Sequence, residues 1–247
     1  RKYEVDSLCA SIYLAHQYYT QTLDNSIFTD KFYEMIKNIV EVFKLEQNHM
    51  QKSEYYFHRP NAPVTDTLPL EGKGNPVTYT GMTWSGFRPS DDRCLYNYLI
   101  PANMMAVCAL KKAAELINVG YEDTKLESEC RSLAFDIDEG IKTHGVYEHH
   151  KFGKIYAYEV DGLGNMLFMD DANSPSLLAA PYIGYCNKSD PIYKNTRAFI
   201  LSNENPWYFE GEVAKGVGSP HTGYDKIWHI ALAMQALTSE DRVEIEN

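Results

Sequence analysis

Long apolar runs are missing from this 247-residue sequence: nothing approaches the roughly 18 consecutive apolar residues of a membrane span. Positive charge is scarce as well. Lys and Arg number 23 against 34 Asp and Glu, leaving a formal net charge of −11. Nucleic-acid binders carry basic stripes that neutralise phosphates, so no nucleic-acid partner is expected. Cysteine is sparse and irregular: Cys9, Cys94, Cys108, Cys130 and Cys186 form no C-x-x-C pair for zinc or thiol exchange. Cys108 and Cys130 fall in apolar helical stretches and read as small core hydrophobes. There is no G-x-S-x-G, which excludes a hydrolase elbow around Ser219 and His221. Gly162-Leu163-Gly164 lacks the third glycine of a dinucleotide loop. Helical His pairs are absent too, so Glu148, His149 and His150 read as a solvated turn, and no metal or other cofactor is expected.

Aromatic side chains, by contrast, are plentiful: nineteen Tyr, ten Phe and three Trp. Flat rings with polar rims suit sugar faces as well as bulky helix packing. The dominant periodicity is helical. Leu8, Ile12, Ala15 and Tyr19 share one face, and Phe32, Met35, Ile36, Ile39 and Phe43 share another, with Thr29 placed as its cap. Ala106, Leu110, Ala113 and Ile117 predict a third helix ended by Gly120, and Leu126, Cys130, Leu133, Ile137 and Ile141 a fourth. Ser174-Pro175 and Asp190-Pro191 each read as a cap followed by proline at the first helical position. Ile227, Ile230, Met234 and Leu237 complete about seven helices. Val77–Tyr79 and Ile155–Val160 are the strand candidates. Long aromatic loops at 58–91, 144–172 and 203–224 are where function is expected on such a scaffold.

Three loop clusters carry chemistry. Gly81–Asp92 crowds Trp84, Phe87, Arg88, Asp91 and Asp92 together before a helix. Glycosidic hydrolysis needs a protonated carboxyl at the leaving oxygen and a second carboxylate for water or carbon. An apolar wall such as Trp84 or Phe87 would raise an aspartate toward a useful acid, while Arg88 suits a substrate hydroxyl or the other aspartate. The plainer alternative is that Asp91 or Asp92 caps the following helix. The second cluster runs from Tyr156 through Glu159 and Asp161 to Asp170, Asp171 and Asn173. These groups suit sugar hydroxyls, or else simply stabilise a turn. In the third, Gly216–Gly223, His221 is either a sugar ligand or a structural loop histidine.

Taken together, Tyr3–Cys9, Trp84–Asp92 and Asp161–Asn165 through Asp170–Asn173 resemble one family, and Gly218–Thr222 and Ile227–Ala231 extend the likeness in order. They are similar to glycoside hydrolase family 125, metal-independent exo-acting α-1,6-mannosidases whose fungal members include proteins named as meiotically up-regulated. The resemblance implies a mainly α fold, an (α/α)6 barrel, here partial and with a small β-hairpin in its loops. It implies inverting cleavage of terminal α-1,6-linked mannose from an oligosaccharide or glycan, with the general acid at Asp91 or Asp92. Asp6, Trp84, Arg88, Asp161, Asp170, Asp171, Asn173 and His221 become the substrate-binding candidates. It also places the base at a Glu nearer the C-terminus than Asn247, so one incomplete catalytic domain over 1–247 is expected. The alternatives are an inert mannoside-binding remnant, another (α/α)6 glycosidase, or a helical interaction scaffold with an aromatic groove.

Overall fold

The apolar spacing near the start of the chain produces α1 (Val5–Thr22), whose innermost residues are Val5, Cys9 and Ile12. The expected face was Leu8, Ile12, Ala15 and Tyr19; Leu8 is instead half-buried at its margin, against α2. Helix α2 (Asp30–Glu46) starts as expected, with Thr29 Oγ1 accepting the Phe32 N–H, and buries Ile36, Ile39, Val40 and Phe43. Two single turns follow, α3 (His49–Lys52) and α4 (Pro69–Gly72). Helix α5 (Ile100–Tyr121) buries residues all round and forms a hairpin with α6 (Thr124–His144), whose start is capped by Asp123 accepting the Lys125 and Leu126 N–H groups. Helix α7 (Pro191–Ile200) takes its cap from Asp190, as expected, and α8 (His229–Thr238) and α9 (Arg242–Glu246) end the described chain. The structure, a computed structural model, describes residues 1–246.

Helix direction follows from contacts between side chains. Lys112 lies over the Tyr13 ring, Glu115 bonds to His16 and Gly120 meets Phe28, so residue numbers rise together along α5 and α1. The two helices are therefore parallel, with their N-termini at one end. Tyr33–Asp123 and Lys44–Glu129 show the same for α2 and α6. Paired helices thus form two layers, α1 and α5 beside one another and α2 and α6 beside one another.

The strands are short and lie among the loops. β1 (Tyr98–Leu99), β4 (Glu159–Val160) and β5 (Met166–Leu167) make an antiparallel sheet in the order β1-β4-β5, Tyr98 pairing with Val160 and Glu159 with Leu167. β2 (Val146–His149) and β3 (Gly153–Tyr156) form one hairpin, and β6 (Tyr208–Glu210) and β7 (Lys215–Val217) another. Since β1 runs straight into α5, the sheet fixes the loops at the N-terminal end of the helices. There the Gly86 and Phe87 N–H groups bond to the Tyr3 carbonyl just before α1.

Four expectations need correction. Gly120 does not end α5; Glu122 does, in the left-handed conformation. Gly120 instead admits the Phe28 ring, because a Cβ there would lie 2.2 Å from its Cδ1. Ser174-Pro175 opens no α-helix: turns run through 178–184, beginning with three-residue bonds such as Ala179 N–H to Ser176 O. Pro181, lacking an N–H, interrupts any longer ladder there. Val77–Tyr79 is not a strand, although the Thr78 N–H bonds to Asp161 O. The run 155–160 divides between β3 and β4, which belong to different sheets. No helix among the described residues is long and apolar enough to cross a membrane.

Candidate active site

Arg88–Asp91 is a tight turn, closed by the Asp91 N–H to the Arg88 carbonyl (2.9 Å), and the Arg88 N–H reaches the Asp92 carbonyl (2.8 Å). Helix α5 begins only at Ile100, so neither aspartate caps it. The turn sends its two carboxyls in different directions. Asp91 sits at φ 75°, and its carboxyl, 62% exposed, pairs with Lys2 at 3.2 Å. The Asp92 side chain is 6% exposed, with Oδ1 at 3.1 Å from His221 Nδ1.

Neighbouring segments hold this turn on several sides. Asn173 Nδ2 donates to the Pro89 carbonyl (2.6 Å), and the Ser90 hydroxyl donates to Asp171 Oδ2 (2.6 Å). The Ala172 N–H donates to Gly218 O (3.1 Å), which joins the second cluster to the third. Asp92, Asp171, Asn173 and His221 therefore come together, as expected of a pocket. Burial raises the Asp171 carboxyl above its ordinary range, opposed by the hydrogen bond from Ser90. Its Oδ1 is buried and has no partner. Asp6, in the first turn of α1, forms a second acidic group with Glu4 and Asp91. Burial first, then the Glu4 and Asp91 charges, push it up to about 7, and its Oδ1 also lacks a donor.

Other candidates are placed differently. Arg88 reaches neither aspartate: its Nε donates to Glu159 Oε1 at 2.5 Å, and both side chains are buried. Burial disfavours the Arg88 charge, but the Glu159 carboxylate outweighs it and holds the guanidinium pKa above its ordinary value. Glu159 Oε2 also accepts the Leu95 and Tyr96 N–H groups. Trp84 has no exposed surface, and its ring packs against His49, Tyr3 and Tyr55. Phe87, equally buried, packs on Phe57. Asp161 and Asp170 also act as frame. Asp161 accepts the Leu163 and Asn165 N–H groups and Asn165 Nδ2, closing the β4–β5 turn. Asp170 accepts the Leu177 and Leu178 N–H groups; burial pushes it up to about 7 against those bonds. His149 packs on Phe152 and Phe199.

Sequence does not single out Ser90 or Ser219, and it names Glu159 only within the second cluster, not as the partner of Arg88. Glu159 carried a usable signal: a carboxylate between Tyr158 and Val160 in a strand buried on both sides must find a cation.

The profile of one family, described as metal-independent alpha-mannosidase (GH125), matches residues 1–247. The chain belongs to glycoside hydrolase family 125. A family 125 α-mannosidase from Streptococcus pneumoniae, solved as a non-productive complex with α-1,6-mannobiose, is 46% identical and superposes with a TM-score of 0.96 over 100% of this chain and 58% of its own. The fold is therefore that family's (α/α)6 barrel, with small antiparallel hairpins in its loops. The meiotically up-regulated gene 157 protein of Schizosaccharomyces pombe is 43% identical over 99% of this chain and 50% of its own length. The chain thus spans about half the length of the curated relative it matches.

Proposed function

We propose that this family 125 chain is one incomplete catalytic domain carrying the acid side of an inverting exo-α-1,6-mannosidase site, with Asp92 as general acid. The observation that carries the assignment is the opposite placement of the two aspartates. Asp92 is buried within the cluster against His221, whereas Asp91 is exposed to water and paired with the Lys2 ammonium. Asp92 would give its proton to the leaving oxygen as the C–O bond breaks, and His221 orients the carboxyl. Asp171 Oδ1, buried without a donor, is suited to accept a sugar hydroxyl, and Asn173 and His221 offer further polar contacts at the same place. Asp6 would bind from the start of α1. The linkage rests on the mannobiose held by the solved relative.

An inverting site needs its second carboxyl about 6.5–9.5 Å from the first, leaving room for water. Glu159 is engaged by Arg88, and Asp161 and Asp170 by backbone, so in this reading the base is not one of them. Those committed carboxylates also favour a second reading, a domain that binds mannosides without turning them over.

Residues 1–247 should release little or no mannose from α-1,6-mannobiose. Robust hydrolysis would sink the missing-base argument and move the base to an internal carboxylate such as Asp161, Asp170 or Asp171. Binding without turnover would support the second reading. The acid is tested by substitution at Asp91 and Asp92 in an active full-length family 125 mannosidase that carries this segment. Asparagine in place of Asp92 should cost about 10²–10⁴ in rate on alkyl mannosides. The loss should be smaller with a phenolate leaving group, which needs less protonation. The Asp91 position should leave the chemistry intact. The reverse pattern would move the acid to Asp91, whose φ of 75° is the kind of strain often found at working residues.

A further inference from the structure

Behind the acid turn lies a polar cluster that the site does not use. Glu46 ends α2 and His49 opens α3, and each is 3% exposed. His49 Nδ1 is 2.6 Å from Glu46 Oε2, and Nε2 is 2.9 Å from the Lys73 carbonyl oxygen. A carbonyl only accepts, so Nε2 carries a proton. Glu46 Oε1 already accepts the Ser53 hydroxyl at 2.6 Å, and Ser53 Oγ in turn accepts the Tyr55 N–H. At 2.6 Å a proton must lie between Nδ1 and Oε2, and imidazole is ordinarily more basic than a carboxylate, so Nδ1 is the donor.

The imidazole lies flat on Trp84, with centroids 3.7 Å apart and planes 1° from parallel. A protonated ring in that position is a cation on the best of the aromatic faces. Trp84 is fastened further: its backbone N–H donates to the Glu46 carbonyl (3.3 Å), and a Cβ on Gly74 would lie 2.7 Å from its Cζ2. Its indole is also stacked parallel to Tyr3, whose carbonyl holds the Gly86 and Phe87 N–H groups immediately before the acid turn.

We propose that His49 is clamped as a two-fold donor, Nδ1 to Glu46 and Nε2 to the Lys73 carbonyl, and that it positions the Arg88–Asp92 turn through Trp84 and Tyr3. The positioning role rests on the reading of that turn as the acid loop; the two-fold donation does not. The surrounding hydroxyls keep their own protons. Burial first, with Glu46 adding to it, holds Tyr3 well above its ordinary value and pushes Tyr55 up to about 12, and burial does the same to Tyr98. The Lys73 ammonium points to the Tyr55 carbonyl.

The test is ¹⁵N–¹H spectroscopy of the histidine-labelled chain, with the His49 signals assigned by their loss in His49→Phe, together with amide exchange over residues 84–92. Both ring nitrogens of His49 should carry slowly exchanging protons. Glu46→Gln should remove one of those protons and speed exchange about tenfold from Trp84 through Asp92. A wild-type ring with a single N–H would overturn the two-fold donation, and needs no variant to fold. Unchanged exchange at Arg88–Asp92 in Glu46→Gln would overturn the positioning role. Binding of α-1,6-mannobiose is followed separately. Its absence from the wild-type chain would count against the reading of the site while leaving the His49 result standing.

Discussion

Two turns at the same end of the molecule are both stabilised by carboxylates, in opposite ways. The β4–β5 turn is held from within, Asp161 accepting two N–H groups and an amide from residues two and four positions ahead. The Arg88–Asp92 turn is held from outside: Glu159 takes Arg88, Asn173 takes Pro89, Asp171 takes Ser90, Lys2 takes Asp91 and His221 meets Asp92. A turn that secures itself commits its own carboxylate to backbone. A turn secured by its neighbours can present carboxyls to something else.

The strongest way to break this contrast is Glu159→Gln, which leaves Arg88 buried opposite a neutral amide. Removing one partner of a buried pair costs about 3–5 kcal/mol, so chemical denaturation should show a loss of that size, with sugar binding falling too. Asp161→Ala should also lower stability, by about 2–3 kcal/mol given charged hydrogen bonds to backbone, but should spare mannoside affinity measured on the folded fraction. Equal damage to affinity from both variants would erase the distinction between the turns.

Asp6→Asn sharpens it with a gain. The Asp6 carboxyl has a folded pKa of about 7 against an ordinary 3.8, so the folded state binds the extra proton between those values. Stability contributed by this group is greatest below the lower value and is lost as pH rises through the upper one. A neutral amide removes that dependence, and above pH 7 the variant should be more stable by about 1–3 kcal/mol. Thermal melts across pH decide it; a variant as pH-dependent as the parent would show that Asp6 is not the group responsible. Lys2→Ala should have the smallest effect, about 1 kcal/mol, because Lys2 and its partners Asp66 and Asp91 all keep contact with water.

The helical layers were legible because their apolar faces repeat and their caps are local: Thr29 and Asp190 needed only a reading of three or four residues. Ser174-Pro175 was misread by the same local rule, since what decides there is Pro181, six residues beyond Pro175. Among the site candidates, Asp92, Asp171, Asn173 and His221 meet at one turn. Sequence could not separate them from Asp161 and Asp170, because which oxygens meet backbone N–H groups depends on loop geometry. Nor could it pair Arg88 with Glu159 across 71 positions, or show that Trp84 packs against His49.

The parallel run of α1 and α5 has an electrical consequence. Peptide dipoles in each helix sum to about half a positive charge at its N-terminus, worth about 0.3–1 kcal/mol to a nearby anion. Because the two helices point the same way, both of those poles lie at the end where Glu4, Asp6, Asp91, Asp92 and Asp171 gather. The backbone thus supplies a fixed positive field under a surface rich in acidic groups. It moderates their mutual repulsion without placing a cationic side chain where an uncharged sugar would have to lie.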